Sequence, residues 1–234
     1  MKKIVRRQQK IWENEHKTLQ TLPSMASEKP SEGVIQFIQY FQTNNVKLSG
    51  KTVDIGCGKG RNTIYLAQNG FHVYGLDYVD YALQHTYKIA LQNNVVQNIH
   101  LITTEIDKSW PFLDNYFDCA IDCYSSIDIE TKQRRRIYRD ELLRTIKPGG
   151  YALIMVPSIE DEWESRLIRE HPGKEKNSTY WPQSGKFQKD YEENELRKFY
   201  TDFKICALRK IRKKAFKLGK HYNAENYWMV LQKE

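Results

Sequence analysis

The chain has 234 residues, 40% hydrophobic, 12% aromatic and 28% charged, which is the composition of a packed domain and not of a disordered tail. Lysine and arginine number 37 against 29 aspartates and glutamates, a net charge of +8. No window of ~20 residues is apolar enough to span a bilayer, and the cysteines at 57, 119, 123 and 206 lack both a disulfide framework and zinc-ligand spacing.

Residues 1–20 set Ile4, Gln8, Ile11, Glu15 and Leu19 at roughly helical steps, with a thin apolar stripe. A loop is expected from Ser24 to Pro30. Ser31 then caps a stronger helix carrying Val34, Ile35, Ile38 and Phe41 on one face. From residue 51 short apolar runs alternate with amphipathic stretches. Strands are predicted at 52–55, 71–77, 99–103, 117–123 and 151–156, and helices at 61–69, 82–93 and 132–146. After Pro157 the rhythm breaks into an irregular, aromatic-rich stretch over 158–190. A helix at 192–200 follows, then strands at 203–208 and 227–231 joined by a strongly basic connection. Strand–helix alternation of this kind builds βαβ units, hence a doubly wound, mostly parallel α/β sheet covered on both faces. The expected organisation is a helical extension over 1–50 ahead of one domain over 51–234, with a cofactor half at 51–156 and substrate-side elements at 157–234.

The excess charge is unevenly spread. Residues 51–156 carry twelve acids and twelve bases, so the whole surplus lies in the flanks. The polar opening lacks the apolar run of an export signal, which makes a reducing cytoplasm the expected compartment and leaves no membrane partner in view.

The sharpest local feature is Val53-Asp54-Ile55-Gly56-Cys57-Gly58-Lys59-Gly60, a strand running into a glycine loop and a helix start. Glycines there let the backbone turn tightly and approach a ligand over the helix N-terminus. Asp77 ends the next strand twenty-one residues after Gly56, where a carboxylate can accept both hydroxyls of a ribose. Glu105 and Ile106 after the third strand offer a polar contact and an apolar shelf to adenine. A pyrophosphate avoids anions, yet Asp54 precedes the first glycine by two residues, and the spacing is GxGxG. A carboxylate at that point suits a ligand with an ammonium and a sulfonium, which is S-adenosylmethionine.

These residues resemble the class I S-adenosylmethionine-dependent methyltransferases. Asp54 to Gly60 matches the first motif of that family, Asp77 its ribose-binding acid, and Lys147-Pro148-Gly149-Gly150 its turn before strand five. Gly60-Arg61-Asn62 is similar to small bacterial members of the tellurite-resistance and thiopurine types. The resemblance implies a seven-stranded sheet whose last strand is antiparallel. It also implies cofactor contacts from Asp54, Gly56, Cys57, Gly58, Gly60, Arg61, Asn62, Asp77, Tyr78, Glu105, Ile106, Asp122 and Cys123. Glu105 stands where the family more often has Asp.

The loop after strand four, Asp122-Cys123-Tyr124-Ser125-Ser126, falls beside the methyl group in this resemblance. Asp122 and Tyr124 of that loop, together with His221 after the basic connection, are the candidate catalytic residues, and Tyr124, Tyr180, Trp181 and Tyr222 the candidate acceptor contacts. Trp12 and His16 on the first helix are candidates to close over the cofactor. No metal ligands are expected. Methyl transfer from a sulfonium needs alignment and desolvation more than a strong base, and only a hydroxyl or amine acceptor demands proton removal. A small-molecule acceptor is the leading expectation. An RNA or protein acceptor held by the basic flanks is the alternative, since residues 209–220 hold seven Lys/Arg in twelve. Asp122-Cys123-Tyr124-Ser125 lacks the paired prolines of nucleic-acid N-methyltransferases. A non-catalytic S-adenosylmethionine-binding subunit is a third reading, and the oligomeric state stays open.

Overall fold

The computed structural model describes residues 7–19, 27–46, 48–217 and 219–234. Residues 1–6 and 20 of the first expected helix and residues 24–26 of the expected loop at 24–30 lie outside them. Seven strands form the main sheet: β1 (Lys51–Ile55), β2 (His72–Asp77), β3 (Ile99–Thr103), β4 (Phe117–Cys123), β5 (Ile146–Pro157), β8 (Lys204–Lys217) and β9 (Lys220–Gln232). Their order is β3-β2-β1-β4-β5-β9-β8, with β6 (Ser178–Tyr180) and β7 (Phe187–Lys189) pairing separately. The first five strands run parallel, and β9 runs antiparallel to both β5 and β8.

Period-two alternation sorts the strand residues between two cores. Val53 and Ile55, Ala152 and Ile154, and Tyr227 and Met229 face one side. There they meet Tyr138 and Leu142 of α5 (Lys132–Thr145) and Leu196 of α7 (Glu193–Phe199). Val73, Ile121, Leu153, Met155, Trp228 and Val230 face the other. That side is covered by α2 (Glu32–Thr43), α3 (Arg61–Gln68) and α4 (Asp80–Gln92). Ser31 stands at the N-cap position of α2 without a side-chain cap; its N–H donates instead to Asn62 Oδ1 at 2.8 Å. Trp228, wholly buried, donates its indole N–H to Gly33 O at 2.9 Å and so fastens α2 to the sheet.

Two departures from the sequence reading lie after Pro157. The stretch taken as irregular contains α6 (Glu162–Glu170), capped by Asp161, whose Oδ1 accepts from Trp163 N and Glu164 N. Only Trp163 and Leu167 form its buried apolar face, too sparse a pattern to show against the five charged residues of the helix. The basic connection is likewise a correction: β8 and β9 pair from Lys204↔Gln232 to Lys217↔Lys220, with one register shift between Ile205 and Ala207. Since β5 leaves β9 at Pro157↔Asn226, the hairpin projects beyond the sheet as a two-stranded arm. Glu225 holds the base of that arm, with Lys210 Nζ 2.8 Å and Arg212 Nε 2.6 Å from its oxygens. Among the described residues no helix is long and apolar enough to cross a membrane.

Candidate active site

The carboxyl ends of β1, β2 and β4 meet at the point where strand order reverses, the usual place for a ligand crevice in an open α/β sheet. The glycine loop turns there with left-handed backbone at Gly56 (φ 64°), Gly58 (φ 53°) and Gly60 (φ 81°). A β-carbon on Gly56 would stand 2.3 Å from Ser125 Oγ, so the loop requires hydrogen at that position. Two carboxylates brace it. Asp54 is 2% exposed and accepts the Thr63 hydroxyl at 2.6 Å; burial pushes its pKa up to about 7. Asp77 accepts Gly58 N at 2.9 Å on one oxygen and Val79 N at 2.8 Å on the other. Burial raises its pKa, and these backbone donors oppose the rise.

One cavity of about 960 Å³ opens over this loop. Asp54, Gly56, Cys57, Gly58, Arg61, Asn62, Asp77, Tyr78, Glu105, Ile106 and Cys123 line it from the sheet side. A carboxylate for a ribose, an apolar shelf at Ile106 and an acid beneath the glycine turn are the groups that an adenosyl sulfonium ligand needs, so the donor set fits S-adenosylmethionine. The roof is α1 (Arg7–Thr18). His16, 5% exposed, lies over the loop, its Cε1 3.3 Å from where a Gly58 β-carbon would be. Burial, with Lys59 and His85 nearby, lowers its pKa to about 4, so the ring is neutral at physiological pH. Gln9 donates to Tyr78 O at 2.9 Å, and Gln8 accepts Phe187 N at 3.2 Å while donating to Glu130 at 3.2 Å. The helix therefore bridges the cofactor loop and the β6–β7 hairpin.

The inner end of the cavity holds Trp12, Tyr124, Ile127, Asp128, Trp181 and Lys186. Tyr124 adopts φ 69°, a left-handed conformation that a bulky residue keeps only under surrounding constraint; here its N–H is tied to Met155 O at 3.0 Å.

Several expected residues stand elsewhere. Asp122, proposed from sequence as catalytic and cofactor-binding, is fully buried and does not line the cavity. Its oxygens accept Ser125 N at 2.8 Å, Ser126 N at 3.2 Å and Tyr138 OH at 2.7 Å, which makes it the brace of the β4 loop. His221 is exposed on the arm and packs on the rim residue Phe216, ring centroids 5.1 Å apart, without lining the cavity itself. Tyr222 is buried with Trp163 and Trp181 in a small third core, and Tyr180 packs on Phe187. Gly60 also lies off the cavity: a β-carbon there would strike Thr86 Cγ2 at 2.3 Å, so its role is to seat α3 against α4. Sequence reasoning missed Gln8, Asp128 and Lys186. A single lysine in an irregular stretch carries no local signal, because only the folding of β6–β7 against α1 turns it inward. Among the described residues no group of three or more His, Cys, Asp or Glu is arranged to hold a metal.

A sequence-family model described as a methyltransferase domain matches residues 52–150. The thiopurine S-methyltransferase of Legionella pneumophila (strain Paris) is 26% identical over 136 residues, covering 53% of this chain and 61% of that protein. Human probable tRNA methyltransferase 9B is 32% identical over 110 residues, covering 47% of this chain and 22% of that protein. The chain thus spans less than two thirds of the length of each of these relatives. In fold, it is similar to a SAM-dependent methyltransferase from Methanosarcina mazei, with TM-score 0.71, 23% identity and coverage of 82% and 96% of the two chains. TehB from Haemophilus influenzae gives TM-score 0.63 and 18% identity over 87% of this chain and 62% of that one. The matched segment spans β1 to the turn in β5, and it contains the glycine loop and Asp77. Residues 52–150, which match a methyltransferase domain, thus sit in a fold similar to that of a SAM-dependent methyltransferase.

Proposed function

We propose that the protein methylates a small-molecule acceptor. The observation that carries this reading is the shape of the site: a single cavity of about 960 Å³, roofed by α1, runs from the glycine loop to Lys186. That is near the upper end of the ~300–1,000 Å³ typical of small-ligand pockets, room for a nucleoside cofactor and one compact partner. A polymer would need an open groove where α1 now lies.

In this reading Asp77 holds the ribose, Glu105 and Ile106 flank the adenine, and Asp54 with the loop amides receives the methionine part. The cofactor supplies an activated methyl group on a sulfonium. The chain aligns the acceptor with that methyl and excludes water, with Trp12 and His16 above and Tyr124 beside the acceptor. Asp128, whose pKa burial pushes up to about 7, is the carboxylate of the inner chamber suited to take a proton from a hydroxyl or amine acceptor. An RNA acceptor is the second reading, favoured by Lys213, Lys214 and the 65% exposed Phe216 at the cavity rim.

Incubation of the protein with methyl-labelled S-adenosylmethionine and separated cell fractions tests this. Label is expected in the small-metabolite fraction. Label in RNA that disappears when Lys213 and Lys214 are both changed to Glu would replace the small-molecule reading with the RNA one.

A further inference from the structure

Two lysines on or beside β7 are buried in different ways. Lys189, 2% exposed, is closely paired: its ammonium donates to Glu195 at 2.8 Å and to the Asp190 carbonyl. Lys186, 6% exposed, lines the inner cavity instead. Among the described residues its ammonium donates one hydrogen bond, to Gln188 Oε1 at 3.2 Å. Gln188 cannot swing away, since the same oxygen accepts Trp181 Nε1 at 3.1 Å and its amide donates to Asp190 at 2.7 Å. Asp128 Oδ1 stands 3.8 Å from the ammonium, beyond hydrogen-bond reach, and accepts no hydrogen bond itself. At that distance Asp128 is still its ion-pair partner, and the ring faces of Trp181 at 4.4 Å and Trp12 at 5.2 Å complete its surroundings.

An ammonium has three donors, and burying it with one hydrogen bond is unfavourable unless something completes its shell. A lysine kept for structure would close on Asp128 as Lys189 closes on Glu195. The other charges of this chamber are engaged. Asp161 accepts three backbone N–H groups, from Trp163, Glu164 and Glu225, and Glu130 accepts Gln8. Arg134 pairs with Asp107 at 3.1 Å, and Glu164 completes the wall. At the rim Lys213 and Lys214 add two exposed cations. The rings of Trp12 and Trp181 face the ammonium, and Tyr124 lines the same cavity.

We propose that the methyl acceptor is a small aromatic anion of the carboxylate class, its charge seated on Lys186 and its ring between Trp12, Trp181 and Tyr124. The inference rests on the small-molecule reading above and names the class of molecule. The anion supplies the acceptors that the Lys186 donors lack, and the rim lysines draw it inward.

The test uses the full chain loaded with S-adenosylhomocysteine and titrated calorimetrically with benzoate, its neutral isostere benzamide, and benzylamine. Benzoate is expected to bind at least tenfold more tightly than benzamide. Lys186→Met should erase that difference while S-adenosylhomocysteine still binds, and Lys186→Arg should keep it. Equal affinity for benzoate and benzamide, or a preference for benzylamine, overturns the anion assignment and leaves the small-molecule reading standing. Failure of all three probes to bind overturns the proposal, and methyl label in RNA would then overturn the small-molecule reading as well.

Discussion

Asp54, Asp77 and Asp122 belong to strands that stop at one edge of the sheet, and what their oxygens hold separates their roles. Asp54 and Asp77 brace the glycine loop while still lining the cavity. Asp122 lies one residue before the end of β4, under the loop that carries Tyr124, with both oxygens turned into the protein. Burial raises its pKa, against the hydrogen bonds it accepts. Removing a buried acceptor from several donors costs roughly 1–3 kcal/mol per orphaned group, less where water enters. Asp122→Ala is therefore expected to lower stability by about 2–4 kcal/mol in urea unfolding. A large loss of methyl transfer with unchanged stability would contradict this and return Asp122 to the chemistry.

At the scale of elements, α1 decides whether the site is a chamber or a groove. His16 anchors it over the loop in neutral form, with a pKa near 4 against about 6.5 in the unfolded chain. The unfolded chain takes up a proton between those values that the docked helix refuses. The contribution of His16 to stability is thus complete above pH 6.5 and is lost as pH falls toward 4. Trp12, one helical turn away on the same face, is expected to report release of α1 in that window by its fluorescence, and His16→Gln should remove the transition. An identical acid profile in the variant would show that another group holds the helix. The elements readable in the sequence are those fixed by near neighbours. The strand–glycine–helix unit at 53–61 and the alternation to residue 156 depend on local periodicity and turn residues, and they stand where expected. The arm formed by β8 and β9 depends on Glu225 meeting Lys210 and Arg212 across the hairpin, so its basic stretch resembled a solvated connection. Asp128 and Lys186 meet only after three distant segments pack, and no local spacing marks that pairing.

For the whole molecule, the parallel half of the sheet supplies the cofactor floor, and the proposed acceptor chamber combines Trp181 and Lys186 from beyond Pro157 with Trp12 and Tyr124 from before it. The neutral charge of residues 51–156 fits a half whose acids face a cationic ligand, while three lysines of the later part, Lys186, Lys213 and Lys214, line the cavity. The central claim is that this one cavity binds S-adenosylmethionine through Asp77 and the glycine loop. Calorimetric titration of the protein with S-adenosylmethionine tests it most directly. Saturable one-site binding is expected, weakened at least tenfold by Asp77→Ala, a loss of about 1.4 kcal/mol or more. No binding by the unaltered chain, or equal affinity in the two proteins, would contradict the account.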